Sequence, residues 1–222
     1  MAPQSLSAEP RVLALSRLVC GLLTHLLVLV FSVFVAVLAK PGSSLFSWHP
    51  FLMTASFFFM TEALLLFSPH CSPAWKLTHA SRSRIHWALQ CLSVTCACLG
   101  LVAISFNKHL NEKPHFTTWH GLVGIATVLV VAVQCVAGLP LVYIKLAKGW
   151  SLSRLKRYHA TSGLTVYLLA CSSLLLGTCS IWFTSSVSTY TWYLMALIPA
   201  FSALVIMSQV SSAYVAKKRL QC

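Results

Sequence analysis

Four histidines share a sequence context that suggests a chemical role. His49, His86, His120 and His159 each lie at or near the start of a long apolar stretch, and each is next to a tryptophan or a tyrosine. The three intervals between them are similar, and each corresponds to one apolar stretch plus one connecting loop. This regularity indicates one such histidine on each of four consecutive helices.

The chemistry that suits this pattern is haem ligation. Haem iron accepts an imidazole nitrogen on each axial face, and two helices that flank a haem can each supply one. With both axial positions filled, oxygen does not readily bind, and electron transfer is favoured. A single histidine at the end of an apolar stretch is explained by a hydrogen bond at the membrane surface. Four of them on consecutive stretches favour cofactor ligands.

The elements that must position these histidines are six apolar stretches, each long enough to cross roughly 30 Å of hydrocarbon. The chain is 58% hydrophobic and only 9% charged, whereas a soluble domain carries about 25% charged residues. We therefore predict an all-α membrane protein in which six transmembrane helices form one domain, 18–215, and the central four form a haem-binding bundle. The predicted spans are 18–39, 49–68, 85–106, 119–144, 159–183 and 191–215.

The basic residues predict the orientation of these helices. With six spans, both termini and two loops lie on one side and hold 13 lysines and arginines, whereas the other side holds only Lys40, Lys108 and Lys113. Cytoplasmic segments carry the excess of basic residues. The N-terminal segment 1–17 and the basic tail 216–222 are therefore predicted to be cytoplasmic. The first span is longer than the apolar region of a signal peptide, so we expect it to be retained.

Because successive spans alternate in direction, the four histidines fall into two pairs. His49 and His120 lie near the non-cytoplasmic surface, and His86 and His159 lie near the cytoplasmic surface. Irons held by the two pairs would be on the order of 20 Å apart, since a helix rises about 1.5 Å per residue. This arrangement predicts a path for electrons across the membrane.

The net charge of +13 and the nine cysteines have simpler explanations than nucleic acid or a disulfide framework. The basic residues form short clusters between apolar stretches, which membrane orientation accounts for, so no nucleic-acid partner is expected. Seven cysteines lie inside apolar stretches, where we expect them to be small buried side chains. Their spacing is not typical of zinc sites.

Several segments together resemble the cytochrome b561 family of transmembrane, ascorbate-dependent reductases, and the resemblance covers essentially the whole chain. These segments are Lys40–Pro50, Met60–Pro69, Tyr158–Gly163 and Val205–Val210. The resemblance implies that the four central helices hold two b-type haems, one between His49 and His120 and one between His86 and His159. The residues before His86 depart from the basic, aromatic-rich run that many family members have there.

The resemblance also implies a donor, an acceptor and a location. Family members take electrons from cytoplasmic ascorbate and deliver them to monodehydroascorbate or ferric iron on the far side. An endoplasmic reticulum or cytoplasmic vesicle membrane is the location that it implies. A homodimer is a candidate assembly.

Ascorbate and the haem propionates are anions and need cationic or polar partners near the haem edge. On the cytoplasmic side the candidates are Arg82, Arg84, Tyr143, Arg154, Lys156 and Arg157. Membrane orientation alone also explains the basic residues, and an aromatic anchor at the membrane surface explains Tyr143. On the other side the candidates are Lys108, His109 and His115, for which a solvated loop is the alternative.

Small and hydroxyl residues near the histidines have two explanations. Gly124 and Gly163 each lie four residues after a histidine, on the same helix face, and could leave room for a flat macrocycle or allow tight helix packing. Ser43, Ser44 and Ser47 could bind propionates or form a turn.

Two polar residues inside the spans also need partners. Glu62 is the one acidic residue within a predicted span. It lies on a different face of its helix from His49, which favours a hydrogen-bonded structural role over proton coupling. Gln134 lies about four helical turns after His120, close to the same helix face, and is predicted to face the cytoplasmic haem or a neighbouring helix.

Two other functions fit parts of the sequence. A haem-bearing subunit that relays electrons from quinol, or to a protein partner, would have the same histidines and a lipid-accessible quinone pocket. A transporter or scaffold without haem would need a different explanation for the four histidines.

Overall fold

A computed structural model shows a helical protein and describes residues 11–68, 72 and 76–219, with side chains to 214. The first ten residues of the predicted N-terminal segment, His70, Cys71 and tail residues 220–222 lie outside this part. The helices are α1 (Arg11–Ala39), α2 (Trp48–Leu65), α3 (His79–Leu110), α4 (Trp119–Ala137), α5 (Leu139–Val142), α6 (Leu152–Thr178), α7 (Ile181–Ser186) and α8 (Thr189–Arg219). No strand occurs among the described residues.

Five helical segments are long and apolar enough to cross a membrane: Arg11–Ala39, His79–Leu110, Trp119–Val142, Leu152–Thr178 and Thr189–Tyr214. They establish a multi-pass membrane protein of the predicted all-α class. The remaining predicted span corresponds to α2, which has 18 residues and carries polar groups at both ends, including His49 and Glu62. The count of six spans therefore stays a prediction.

Helix ends differ from the predicted spans because helix formation does not stop where hydropathy falls. α3 begins at His79, where the Thr78 hydroxyl accepts a hydrogen bond from the Ser81 amide and caps the helix. The predicted fourth span is interrupted at Gly138, and the short α5 follows with Pro140 in its first turn. The predicted fifth span ends at Thr178, and α7 is a separate helix.

The four histidine-bearing helices pack in two close pairs. α2 lies against α3, and α4 lies against α6, while α3 also contacts α4. α1 packs on α2 and α8, and α8 packs on α6. The outer helices α1 and α8 therefore lie next to each other against the predicted central group α2, α3, α4 and α6.

Hydroxyl groups connect these helices where their backbones approach closely. The Ser56 and Ser93 hydroxyls are 2.9 Å apart and join α2 to α3. The Thr61 and Tyr167 hydroxyls are also 2.9 Å apart and join α2 to α6. Such contacts stabilise membrane helices by about 0.6 kcal/mol each on average. All seven described cysteines are free, but only Cys171 is buried, so the expectation that they are all buried was wrong.

Glu62 has the hydrogen-bonded partner that its position suggested. Nδ1 of His25 on α1 lies 2.9 and 2.8 Å from the two carboxylate oxygens of Glu62 on α2. The two side chains are 21% and 22% exposed. This contact joins the outer helix α1 to the histidine-bearing helices.

We expect Glu62→Leu to lower the thermal unfolding midpoint, because it removes a hydrogen-bonded carboxylate from a poorly hydrated contact at a cost of about 1–3 kcal/mol. Glu62→Gln keeps one acceptor for His25 and should lose less. Tryptophan fluorescence during heating in detergent measures both. A Glu62→Leu protein as stable as the wild type would contradict this role.

Candidate functional site

The His49–His120 pair lies at one end of the helices. His49 is the second residue of α2 and His120 is the second residue of α4. The Thr118 hydroxyl accepts a hydrogen bond from the Gly121 amide and fixes the start of α4. The centres of the two imidazole rings are 6.0 Å apart, with planes inclined at 76°.

The His86–His159 pair has nearly the same geometry. The ring centres are 6.3 Å apart and the planes are again inclined at 76°. Each of these two histidines is the eighth residue of its helix, because α3 and α6 begin at His79 and Leu152, two turns earlier than the predicted spans. The structure thus brings together the two pairs that alternating span direction predicts.

Hydrogen bonds from Nδ1 hold three of the four imidazoles to backbone carbonyls. His49 donates to the Gly100 oxygen at 3.0 Å, His86 to the Ala63 oxygen at 2.8 Å, and His120 to the Ser173 oxygen at 3.0 Å. A carbonyl only accepts, so Nδ1 carries the proton in these three rings. Their Nε2 atoms therefore keep a lone pair that can bind a metal.

The fourth imidazole is held by a side chain instead. Nε2 of Gln134 lies 3.1 Å from Nδ1 of His159 and donates to the His159 carbonyl oxygen at 2.8 Å. Of the two predicted alternatives for Gln134, the cytoplasmic haem and a neighbouring helix, the structure shows the contact with a neighbouring helix, α6, beside His159.

The four anchoring contacts are reciprocal between helix pairs. α2 carries His49 and the carbonyl that holds His86, and α3 carries His86 and the carbonyl that holds His49. α4 and α6 hold each other in the same way. On every helix the same interval, as from His49 to Ala63, separates the histidine from the anchor. This interval is about four turns, or roughly 21 Å, and it returns to nearly the same helix face.

Two cavities border these pairs, and they differ greatly in size. The large cavity, about 1470 Å³, borders His86 and His159. The small cavity, about 130 Å³, borders His49 and His120. A haem fits the large cavity by volume, whereas in the small cavity the lining side chains would have to move outward.

The wall between the cavities is apolar and aromatic. Met60 and Val131 border both cavities. Phe57, on the small cavity, stacks on Tyr167, on the large cavity, with ring centres 5.9 Å apart and planes inclined at only 17°. These buried side chains exclude water from the space between the two histidine pairs.

The structure divides the predicted anion-binding residues into those that border a cavity and those that do not. Arg84, Lys156 and Arg157 border the large cavity, whereas Arg82, Tyr143 and Arg154 do not. Tyr143 instead contacts the Trp87 ring, with ring centres 6.4 Å apart. Lys108 and His115 border the small cavity, and His109 lies outside its lining.

The serines before α2 form a turn, which was one of the two alternatives. The Ser47 hydroxyl accepts from the Gly42 amide at 3.1 Å and donates to the Ser44 oxygen at 2.6 Å. Gly42 has a φ of +94°, which an L side chain rarely adopts. Ser47 is only 2% exposed, so the turn fixes the start of α2 immediately before His49.

Glycines lie against the histidines in a way that sequence spacing only partly revealed. Gly124 and Gly163 border the small and large cavities and also face Ser173 and Gln134 of the neighbouring helix, so room for a macrocycle and close helix packing both remain explanations. The structure adds Gly177, where a Cβ atom would lie 3.2 Å from Cε1 of His120, and Gly138, where it would lie 3.1 Å from Cε1 of His159. Each of these two faces a histidine of the neighbouring helix rather than of its own, so only the packed helices reveal the contact.

His79 and Phe67 also belong to the large cavity, although no sequence pattern selected them. The Phe67 ring lies 5.8 Å from the His79 ring and 5.3 Å from the His86 ring. Both residues border the large cavity beside Arg84. His79 is the first residue of α3, which begins ahead of the predicted span, and Phe67 follows the end of α2.

The fold and these pairs define a multi-pass helical membrane protein with histidines paired between its helices. A family profile described as eukaryotic cytochrome b561 matches residues 48–184, which include all four histidines. The chain belongs to the cytochrome b561 family, and this membership implies haem b as cofactor.

Known relatives include membrane reductases. The chain is 51% identical to transmembrane reductase CYB561D2 of Bos taurus, over 98% of both chains. It is 43% identical to probable transmembrane reductase CYB561D1 of Homo sapiens, over 97% of this chain and 94% of the relative. It is 31% identical to lysosomal membrane ascorbate-dependent ferrireductase CYB561A3 of Mus musculus, over 60% of this chain and 54% of the relative.

The spacing of both pairs suits an iron between two imidazoles. With an iron–nitrogen distance of about 2 Å and roughly 1.15 Å from nitrogen to ring centre, the ring centres would be about 6.3 Å apart. The observed separations are 6.0 and 6.3 Å. At the His49–His120 pair both imidazoles have Nδ1 bonded to a carbonyl, which leaves both Nε2 atoms as donors of the kind that haem b takes. At the other pair His86 has the same hydrogen bond, whereas Nδ1 of His159 faces the amide nitrogen of Gln134.

We expect Gly177→Ala to disturb the His49–His120 site and Gly138→Ala to disturb the His86–His159 site, because each added methyl group crowds one imidazole. Each variant should lower haem content or shift the spectrum at its own site. Haem quantification and low-temperature difference spectra of the purified proteins measure this, and each variant serves as the control for the other. Equal effects of both variants on both sites would contradict the assignment.

Proposed function

We propose that the chain is a di-haem transmembrane reductase, with one haem b held by His49 and His120 and the other by His86 and His159. The observation that carries this proposal is the set of Nδ1 hydrogen bonds at His49, His86 and His120, which leave Nε2 of these three rings as the metal-binding nitrogen. The ring separations and the family membership support it. We further propose that α2 spans the membrane as a sixth transmembrane helix.

The residues of the chain would serve electron transfer in three ways. A haem bound at each pair would supply one-electron redox chemistry. The two imidazoles of each pair would hold the haem iron, and their hydrogen-bonded anchors would keep the rings in place. Phe57, Tyr167, Met60 and Val131 fill the space between the pairs with packed, dry side chains.

The donor end is proposed to be cytoplasmic and to use ascorbate. Arg84 and Lys156 border the large cavity, where their charges would attract an ascorbate monoanion. Arg157 adds a third positive charge to the same lining. The excess of basic residues at the termini and at the loops on this side supports a cytoplasmic orientation. The relative from Mus musculus, named an ascorbate-dependent ferrireductase, supports this donor.

The acceptor end is proposed to lie at the small cavity, on the lumenal side. Lys108 and His115 border this cavity. The Lys108 ammonium donates to the Pro114 oxygen at 3.0 Å and holds the loop between α3 and α4 over the site. Monodehydroascorbate, an anion, would be attracted by Lys108, and ferric iron could bind His115. An endoplasmic reticulum or vesicle membrane is the proposed location.

The ligand assignment is tested by replacing one pair at a time. We expect the double variant His49→Ala/His120→Ala to lose about half of the reduced b-type absorption, and His86→Ala/His159→Ala to lose the other half, since each change removes both ligands of one iron. His109→Ala, outside both cavities, is the control and should keep both haems. If reduced b-type absorption survives replacement of both His49 and His86 by alanine, the assignment is wrong.

The donor site is tested by removing charges from the large cavity. Arg84→Gln and Lys156→Gln should each raise the ascorbate concentration needed for half-reduction by roughly tenfold, because a lost charge-assisted contact costs about 1.5 kcal/mol. Arg154→Gln removes the same charge outside the cavity and should change it little. Stopped-flow spectra of the oxidised protein give these values. Reduction by a quinol but not by ascorbate would instead favour a quinol-linked relay.

A further inference from the structure

The anchor of His159 differs in kind from the other three anchors. The other imidazoles donate to backbone carbonyls of a packed helix, and no substitution can remove such an oxygen. Position 134 lies at the equivalent place on α4, about four turns after His120, but here the side chain of Gln134 makes the contact. One of the four anchors is therefore encoded by a single side chain.

The amide of Gln134 contacts α6 through both of its ends. Its Oε1 accepts from the Ser162 hydroxyl at 3.0 Å, and its Nε2 donates to the carbonyl oxygen of His159. Gly163 leaves the room that the amide occupies, because a Cβ atom at that position would lie 3.1 Å from Nε2. Three features of α6 thus fit one amide beside one imidazole.

We propose that Gln134 is a positioning residue that sets the reduction potential of the haem held by His86 and His159. The inference rests on the proposed function. Iron bound at Nε2 of His159 leaves the proton on Nδ1, and this proton needs an acceptor. As placed, the amide turns its nitrogen to Nδ1. Rotation of the amide by half a turn about its last carbon–carbon bond brings Oε1 to Nδ1 and Nε2 to the Ser162 hydroxyl, which can accept. This rotation gives up the hydrogen bond from Nε2 to the His159 carbonyl oxygen, from which Oε1 has to move away.

The direction of the effect follows from ligand basicity. An acceptor on Nδ1 makes the imidazole a stronger donor to iron, which stabilises the ferric form and lowers the reduction potential. A neutral amide oxygen is a weaker acceptor than a carboxylate and a stronger one than an alkyl group. Gln134 therefore holds this haem at an intermediate potential.

The experiment is a redox titration of the purified full-length protein carrying Gln134→Leu, Gln134→Asn or Gln134→Glu, followed by visible spectra. We expect Gln134→Leu to favour reduction of this haem by about tenfold, which is 59 mV for one electron. Gln134→Asn, whose shorter side chain does not reach Nδ1, should favour reduction of this haem in the same way as Gln134→Leu. Gln134→Glu should disfavour reduction by a similar factor.

Two references accompany the series. The haem at His49 and His120 is the internal reference and should keep its potential in every variant. Gln90→Leu, which makes the same change elsewhere in the lining of the large cavity, should shift the potential less than Gln134→Leu. If Gln134 only filled space, Gln134→Glu and Gln134→Leu would not shift the reduction potential in opposite directions from that of the wild type.

Equal potentials across the series, or shifts of Gln134→Leu and Gln134→Glu in the same direction, would overturn the inference while leaving the two haems in place. Loss of the haem from Gln134→Glu, which keeps an acceptor, would also overturn it. If Gln134→Leu alone loses the haem, the comparison of glutamate with glutamine still decides the result. A wild-type protein without two b-type haems would instead overturn the proposed function.

Discussion

The hydrogen bond from a histidine Nδ1 to a partner on the neighbouring helix is the constraint on which the rest of the structure depends. Each such bond determines which ring nitrogen is protonated, how the ring is oriented and how closely two helices approach. Because each helix supplies a histidine at one level and an anchor about four turns later, α2 and α3 hold each other at two heights, as do α4 and α6. Sliding either helix along its partner would break two anchors together, so the pairs of helices are fixed in register.

This register explains several local features that otherwise look unrelated. Gly177 and Gly138 are small because the imidazoles of His120 and His159 lie against the backbone at these points. The serine turn before α2 fixes where the helix starts, and therefore the height of His49. The His25–Glu62 contact joins α1 to α2 one residue before Ala63, whose carbonyl holds His86. A polar contact at the outer helix thus supports the segment that orients an inner imidazole.

The two ends of the molecule differ although their histidine pairs have nearly the same geometry. The large cavity extends from His86 and His159 to α1 and α8 and has several positive charges in its lining, whereas the small cavity is bordered by the loop before α4 and by one lysine, Lys108. An anionic donor with room to enter suits the first, and a small acceptor or an electron leaving at the surface suits the second. In the proposed direction of transfer, the large cavity receives electrons on the side of the membrane that has the excess of basic residues, and the small cavity releases them on the other side.

The sequence by itself determined the helical membrane class, the four histidines, their assignment to two pairs and the placement of Gln134 on nearly the same helix face as His120. These follow from composition, from helix length and from the alternation of span direction, all of which are local or additive along the chain. Only the tertiary structure decided which carbonyls hold the imidazoles, that Glu62 meets His25, that Gly138 and Gly177 face the rings, and which basic residues border a cavity. Such contacts join residues that are far apart along the chain, as Gly100 is from His49 and Ser173 is from His120. These contacts depend on the rotation and tilt of each helix. A helix that is apolar on all sides, as a lipid-facing helix is, has little hydrophobic periodicity from which its rotation or tilt could be predicted.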